Sequence, residues 1–230
     1  MAIELVVFDL AGTTVSDNKD VHRVLQNALA QYDVSISIED ANLVMGIPKP
    51  VAIRMLLEQR YTGPRAIDTA WIDEIHTVFV ENMIRFYRED AGVSEMPGAS
   101  EVFRMLKERK LKVVVDTGFD RQITDPLLDR LGWQRNNLID GSVTSDEVSN
   151  GRPHPDMIFR AMELTGVTDV GNVAKVGDTA SDMQEGRSAA CALVIGVTTG
   201  AFSESALKAE NPTHIIHNLR ELLQILDGQA

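Results

Sequence analysis

A chain of 230 residues carrying a formal charge of −12 has room for one large domain or a core with an insertion, and its charge opposes binding to nucleic acid or to an anionic membrane surface. Its 44% hydrophobic and 24% charged residues match ordinary globular composition and exclude a disordered or fibrous class. A single cysteine, Cys191, excludes an intrachain disulfide and fits a reducing compartment.

In chain order, Ile3–Phe8 is an apolar run interrupted only by Glu4, the pattern of a strand buried on both faces of a parallel sheet. Asp20–Tyr32 has apolar residues at helical spacing, Ile38–Met45 fits a short helix closed by Gly46, and Pro48 opens another helix. Pro64–Arg88 reads as one long helix or two, so residues from roughly 16 to 90 hold helices and no strand. From Pro97 the pattern changes to helix Gly98–Lys110, strand Leu111–Val115 and helix Arg121–Leu131. A short Leu138–Ile139 segment, helix Asp156–Leu164, strand Val173–Val176 and helix Ser181–Ala190 follow. Strands Leu193–Val197 and Thr213–Ile216 and the closing stretch Leu219–Leu226 complete the series. Alternating strands and helices predict parallel βαβ units. The expected fold is therefore α/β: a Rossmann-like core with a parallel sheet, formed by 1–15 and 91–230, with 16–90 as a helical insertion. No apolar run approaches the ~20 residues that span a bilayer, and the start lacks the charged region of a signal peptide. A cytoplasmic location without membrane or nucleic-acid partners is expected. Cys191 opens the apolar run Cys-Ala-Leu-Val-Ile and reads as a core residue.

Four clusters lie at or just past a strand or helix boundary. Asp9-Leu-Ala-Gly-Thr-Thr follows the first strand, and a carboxylate at that end lies where open α/β sheets bind ligands. Asp116-Thr117-Gly118 ends the second strand with a hydroxyl and a glycine turn suited to an anion. Gly151-Arg152-Pro153-His154-Pro155 places an Arg ahead of a helix. Gly177-Asp178-Thr-Ala-Ser-Asp182 puts two carboxylates four residues apart, both able to face one pocket if a helix starts near Thr179.

In this order the clusters resemble the four motifs of the haloacid dehalogenase superfamily. Asp9–Thr14, Met45-Gly46-Ile47-Pro48-Lys49, Thr117–Arg121 and Gly151–Pro155 further resemble its phosphonoacetaldehyde hydrolase (phosphonatase)-like branch. The resemblance covers almost the whole chain and makes 16–90 a helical cap. It implies that Asp9 attacks phosphorus to give an aspartyl-phosphate. It implies Mg²⁺ held by Asp9, the Ala11 carbonyl and Asp178, with Asp182 in or near the shell. Gly12, Thr13, Thr117, Gly118 and Arg152 would bind the phosphoryl group, Arg152 as a fixed fork of positive charge.

Position 11 discriminates within the superfamily, because phosphatases carry there an Asp that protonates the leaving alkoxide. Ala11 has nothing to donate, whereas a carbon leaving group does not need that acid. In phosphonatases a cap Lys forms a Schiff base with the aldehyde, and Lys49 stands at the matching place. Three features depart from that branch. Asp116 replaces the usual Thr or Ser and would repel a phosphoryl group unless protonated or turned away. Val51-Ala52-Ile53 offers no His after the Lys, and Ser16-Asp17-Asn18-Lys19 offers no Cys. Among the five His residues only His154 is expected near the site. The implied activity is Mg²⁺-dependent cleavage of a small phosphonate by a monomer or homodimer. The alternatives are a phosphomonoesterase or phosphomutase acting on a small organic phosphate, a metal-free dehalogenase, and a non-catalytic phosphate or phosphonate sensor.

Overall fold

The computed structural model describes residues 2–228. Along them run β1 (Leu5–Asp9), α1 (Asp20–Ala30), α2 (Ile38–Asn42), α3 (Lys49–Arg60), α4 (Thr69–Glu89) and α5 (Ala99–Glu108). Then follow β2 (Lys112–Thr117), α6 (Arg121–Leu131), β3 (Gly141–Thr144), α7 (Asp156–Thr165), β4 (Val173–Gly177) and α8 (Ala180–Ala189). β5 (Leu193–Val197), α9 (Glu204–Ala209), β6 (His214–Ile216) and α10 (Glu221–Asp227) complete the order. The six strands form one sheet in the order β3-β2-β1-β4-β5-β6, with every pair parallel. The expected Rossmann-like α/β architecture is what the chain adopts. None of the described helices is long and apolar enough to cross a membrane.

The apolar runs seen in the sequence are buried strands because both sheet faces are covered. Phe8, Val115 and Val176 face the side packed by Phe103 of α5, Ile123 and Leu127 of α6 and Leu222 of α10. Phe8, Phe103 and Trp133 form a chain of edge-on aromatic contacts at 5.2 and 5.1 Å. Leu5, Val7 and Val114 face the other side, against Met157, Ile158 and Ala161 of α7. Pairing register places Asp9 beside Asp116, and Lys175 beside Val7, so all three side chains leave the sheet on the α7 face.

Two details differ from the sequence reading. A strand the sequence did not single out, Gly141–Thr144, follows the short Leu138–Ile139 segment, which lies outside the sheet. Asp140 starts the ladder by offering its N–H to the Val113 carbonyl at 2.6 Å and its carboxylate to the Val113 N–H at 2.8 Å. Helix α9 is additional; it leaves little trace in the sequence because it is short and buries only Leu207. Ser203 nucleates it by accepting the Ala206 N–H at 3.3 Å.

Helices α1 to α4 lie between β1 and α5. The 21-residue α4 is a single helix, capped by Asp68, and packs on α1, α3 and α6. The chain leaves and re-enters the sheet region side by side: Ser16 N–H bonds to the Ser94 carbonyl at 3.0 Å and Met96 N–H to the Thr14 carbonyl at 2.7 Å. The turn Met45–Ile47 meets the sheet end directly. A Cβ on Gly118 would stand 2.8 Å from both the Gly46 and the Ile47 carbonyl oxygens. Because both obstacles are backbone, Gly118→Ala should cost about 1–3 kcal/mol, the usual penalty of overpacking. Urea unfolding should show a lower midpoint at unchanged slope. A midpoint equal to the wild type would mean that this approach is slack.

Candidate active site

Asp9 ends β1, Thr117 ends β2 and Asp178 follows β4, so the parallel sheet delivers three predicted residues to one crevice. The helix α8 starts at Ala180 with Thr179 as cap, which puts Asp182 at its third position. Asp182 Oδ2 accepts the Thr179 N–H at 3.1 Å and its hydroxyl at 2.5 Å, the reciprocal half of a capping box. Carboxylate oxygens of Asp9, Asp178 and Asp182 converge to within 4.8 Å of one another, all buried.

Arg152 differs from its sequence-level reading. All five of its N–H donors are engaged by protein acceptors. Nε donates to Glu185 at 3.0 Å, Nη1 to Asp9 Oδ1 at 2.6 Å and to the Gly46 carbonyl at 3.4 Å, and Nη2 to the carboxylate (2.5 Å) and carbonyl (3.0 Å) of Asp116. Its side chain is fully buried. As it stands, the guanidinium fixes Asp9 and has no donor left for a phosphoryl oxygen. Asp116 is the second difference. It is turned away from the crevice, with Oδ1 shared between Arg152 and Lys175 Nζ at 2.5 Å each. Burial pushes its carboxyl up, but the two cations outweigh that and hold it below its ordinary value.

Sequence reasoning missed Lys175 and Glu185, which complete this network. Lys175 Nζ lies 2.9 Å from Glu185 and 3.2 Å from Asp182. A Lys inside the apolar run Val173–Val176 was the available signal, because a fully buried ammonium requires anionic partners. Burial first, then the Asp116 charge, pushes Glu185 up to about 8, so it carries a proton at neutral pH. Two cations, Arg152 and Lys175, stand among five buried acids, Asp9, Asp116, Asp178, Asp182 and Glu185. The acids outnumber the cations. The excess shows at Asp178, which burial and the charges of Asp9 and Asp182 push well above the carboxylate range. Burial and Asp182 likewise raise Asp9 to about 6, against the pull of Arg152. A buried acidic cluster with more acids than cations suits a divalent cation.

The remaining predicted residues sort by what they touch. The Thr13 hydroxyl donates to Asp178 Oδ1 at 2.9 Å, its N–H goes to the Leu10 carbonyl, and the Gly12 N–H goes to the Val15 carbonyl. Neither residue keeps one of these donors for an anion; both instead shape the turn and hold Asp178. A Cβ on Gly12, whose φ is +92°, would sit 2.6 Å from Asp178 Oδ2. The Thr117 hydroxyl accepts the Phe119 N–H at 3.2 Å, which leaves its own proton to donate. Asp9, Ala11, Lys49, Thr117, Gly118 and Asp178 all line one pocket.

Lys49 opens α3 and is 2% exposed. Nζ donates to the Ile47 carbonyl at 3.3 Å and lies 5.2 Å from the Phe119 ring centre. Burial is the main reason that its ammonium is lowered to about 8, with Asp9 opposing and Arg152 assisting. His154 is exposed and takes no part, whereas His22, of α1, lines the pocket. Cys191 is half-buried and its thiol is pushed up to about 12 by burial, as suits an inert residue.

Removing one member of the ion network leaves others buried and unpaired. Lys175→Met, close in volume, should destabilise the protein by about 3–5 kcal/mol, read as a lower urea midpoint. A variant as stable as the wild type would show that the carboxylates around Lys175 balance one another by protonation alone.

The haloacid dehalogenase-like hydrolase family matches residues 3–190. The chain is 32% identical over 239 residues to a phosphonoacetaldehyde hydrolase of Bacillus anthracis, covering 98% of this chain and 87% of that protein. It is 34% identical over 237 residues to that of Bacillus thuringiensis (strain Al Hakam), with the same coverage. Its fold is similar to that of a phosphonoacetaldehyde hydrolase-like protein from Oleispira antarctica, with a TM-score of 0.85 at 20% identity over 99% of this chain and 92% of that one. A putative beta-phosphoglucomutase from Bacteroides vulgatus shares the fold at a TM-score of 0.83 and 21% identity, over 99% and 90% of the two chains. With its four strand-end clusters, its parallel sheet and these relatives, the chain belongs to the haloacid dehalogenase-like hydrolase family.

Proposed function

We propose that this protein cleaves the C–P bond of a small phosphonate bearing a carbonyl group, with residues 16–90 as a cap over the core of 1–15 and 91–230. The observation that carries this reading is the placement of a buried amine, Lys49, in the same pocket as Asp9, with Ala11 lining that pocket in place of an acid. A phosphate ester needs a proton donor for its leaving alkoxide, and Ala11 offers none. A carbanion equivalent is stabilised differently, by conjugation with an iminium nitrogen, and only a neutral amine can form that iminium.

In this reading Asp9 attacks phosphorus through Oδ2, because Oδ1 is held by Arg152 at 2.6 Å. The C–P electron pair moves to carbon, giving an enamine on Lys49, and phosphorus is left on Asp9 until water removes it. Arg152 orients the nucleophile through that bond, while Thr117 and Gly118 offer donors at the phosphoryl end. Asp9, Asp178 and Asp182, with the Ala11 carbonyl, would hold a divalent cation, read here as Mg²⁺. Bound there, it supplies the positive charge that lets a carboxylate approach an anionic phosphoryl group. The antiparallel bridge Val15–Glu95 joins the two connecting segments and supports a cap hinged at that point.

With phosphonoacetaldehyde and borohydride, peptide mapping should find a reduced adduct at Lys49. Because only the unprotonated amine attacks, trapping should accelerate as pH rises through about 8. Lys49→Arg should lose both the adduct and phosphate release, since a guanidinium is no amine nucleophile. Wild-type phosphate release by that variant would contradict the Schiff base.

A further inference from the structure

Two titratable side chains line the pocket and have no part in the chemistry above: Asp17, between β1 and α1, and His22, in the first turn of α1. Their geometry is not that of surface groups. Asp17 Oδ1 accepts the N–H groups of Asp20 at 2.7 Å and Val21 at 3.2 Å, which fixes the carboxyl at the start of α1. Its other oxygen, Oδ2, stands 3.9 Å from His22 Nδ1. The His22 ring is 1% exposed. Its Nε2 lies 3.0 Å from Asn42 Oδ1, an oxygen that only accepts, so the neutral ring carries its proton on Nε2. Nδ1 is then a bare lone pair, buried and without a hydrogen-bond partner. Leaving such an atom unpaired is costly, and a group entering the pocket beside Asp17 Oδ2 would pair with it.

Iminium formation needs a proton carrier. When the Lys49 nitrogen bonds to the carbonyl carbon, the C=O π pair moves to oxygen. One proton must pass from nitrogen to that oxygen. A second must reach it from an acid before the C–O bond breaks towards oxygen and water departs, while the nitrogen lone pair closes the C=N bond. Among the described residues of the pocket, the other carboxylates are Asp9 and Asp178, both at the phosphoryl end.

We propose that Asp17 and His22 form the acid–base pair for the carbonyl end of the substrate, passing the proton from nitrogen to oxygen and lending the one with which water leaves. The lent proton returns when the imine is hydrolysed, so the pair is unchanged after a cycle. Burial works on the two in opposite senses, raising Asp17 and lowering His22, which draws their proton affinities closer. The charges of Asp17 and Lys49 also act on each other and on His22, as groups sharing one small space must.

This inference rests on the Schiff-base reading, and one experiment separates the two. The probe is acetaldehyde with cyanoborohydride, without phosphonate or divalent ion, so that only amine–carbonyl chemistry is read; adducts are timed and mapped by mass spectrometry. In the wild type an ethyl adduct should form at Lys49. In Asp17→Asn and in His22→Gln it should form about 10²-fold more slowly, the loss typical of a removed acid–base group. Adducts at exposed lysines should form at unchanged rates. Asp17→Asn keeps the Oδ1 acceptor that caps α1, so this variant alone decides if His22→Gln does not fold. Wild-type trapping rates at Lys49 in Asp17→Asn would overturn the acid–base pair and leave the Schiff base standing. No Lys49 adduct in the wild type would overturn both.

Discussion

The structure depends on how five N–H donors of one buried guanidinium are satisfied. Arg152 reaches Asp9, the neighbouring strand-end Asp116, Glu185 of α8 and the Gly46 carbonyl. It thereby joins three secondary-structure elements and the turn ahead of α3. An isolated charge cannot stay in such a place, and a charge paired on every donor can. Sheet register supplies the partners: β1 and β2 end in adjacent carboxylates, and β4 contributes Lys175 to the same face. The network is a ground plate on which Asp9 is held by one oxygen and presented by the other.

The same network governs the opposite wall. The Gly46 carbonyl receives Arg152, and the Met45 carbonyl receives the Ser181 hydroxyl at 3.5 Å. Gly46, at φ +80°, lets the turn pass so closely over α8 that a Cβ would lie 2.4 Å from Thr179 Oγ1. Gly118 lets it pass over β2. Lys49 follows this turn by three residues, so its place above the crevice is set by backbone contacts and does not depend on a flexible lysine stem. Desolvation then lowers the proton affinity of the amine.

Much of this could be read from the sequence, and the parts that could not have one cause. Apolar runs gave β1, β2, β4 and β5 because strands buried on both faces need no alternation, and three of the four clusters followed such a run, whereas Arg152 lies in the loop ahead of α7. The short Leu138–Ile139 segment did not reveal β3 because an apolar pair marks burial, not pairing, and Asp140 sets the ladder after it. Asp116 looked like a misplaced charge because its partners, Arg152 and Lys175, are 36 and 59 residues away. Arg152 looked free for a ligand for the same reason. His154 is adjacent in sequence to Arg152, yet a proline-flanked turn leaves it in solvent. His22 is remote in sequence and sits in the pocket. Motif spacing shows which residue types gather, whereas which donors remain unoccupied is a property of the packed network.

The central claim is that the buried network holds more acids than cations and is completed by a divalent cation at Asp9, Asp178 and Asp182. Calorimetric titration with Mg²⁺, on the wild type and on Asp178→Asn, tests it most directly. The account predicts one saturable site in the wild type, accompanied by a higher melting temperature, and loss of both in Asp178→Asn. Absence of binding in the wild type, or equal affinity in the variant, would contradict it.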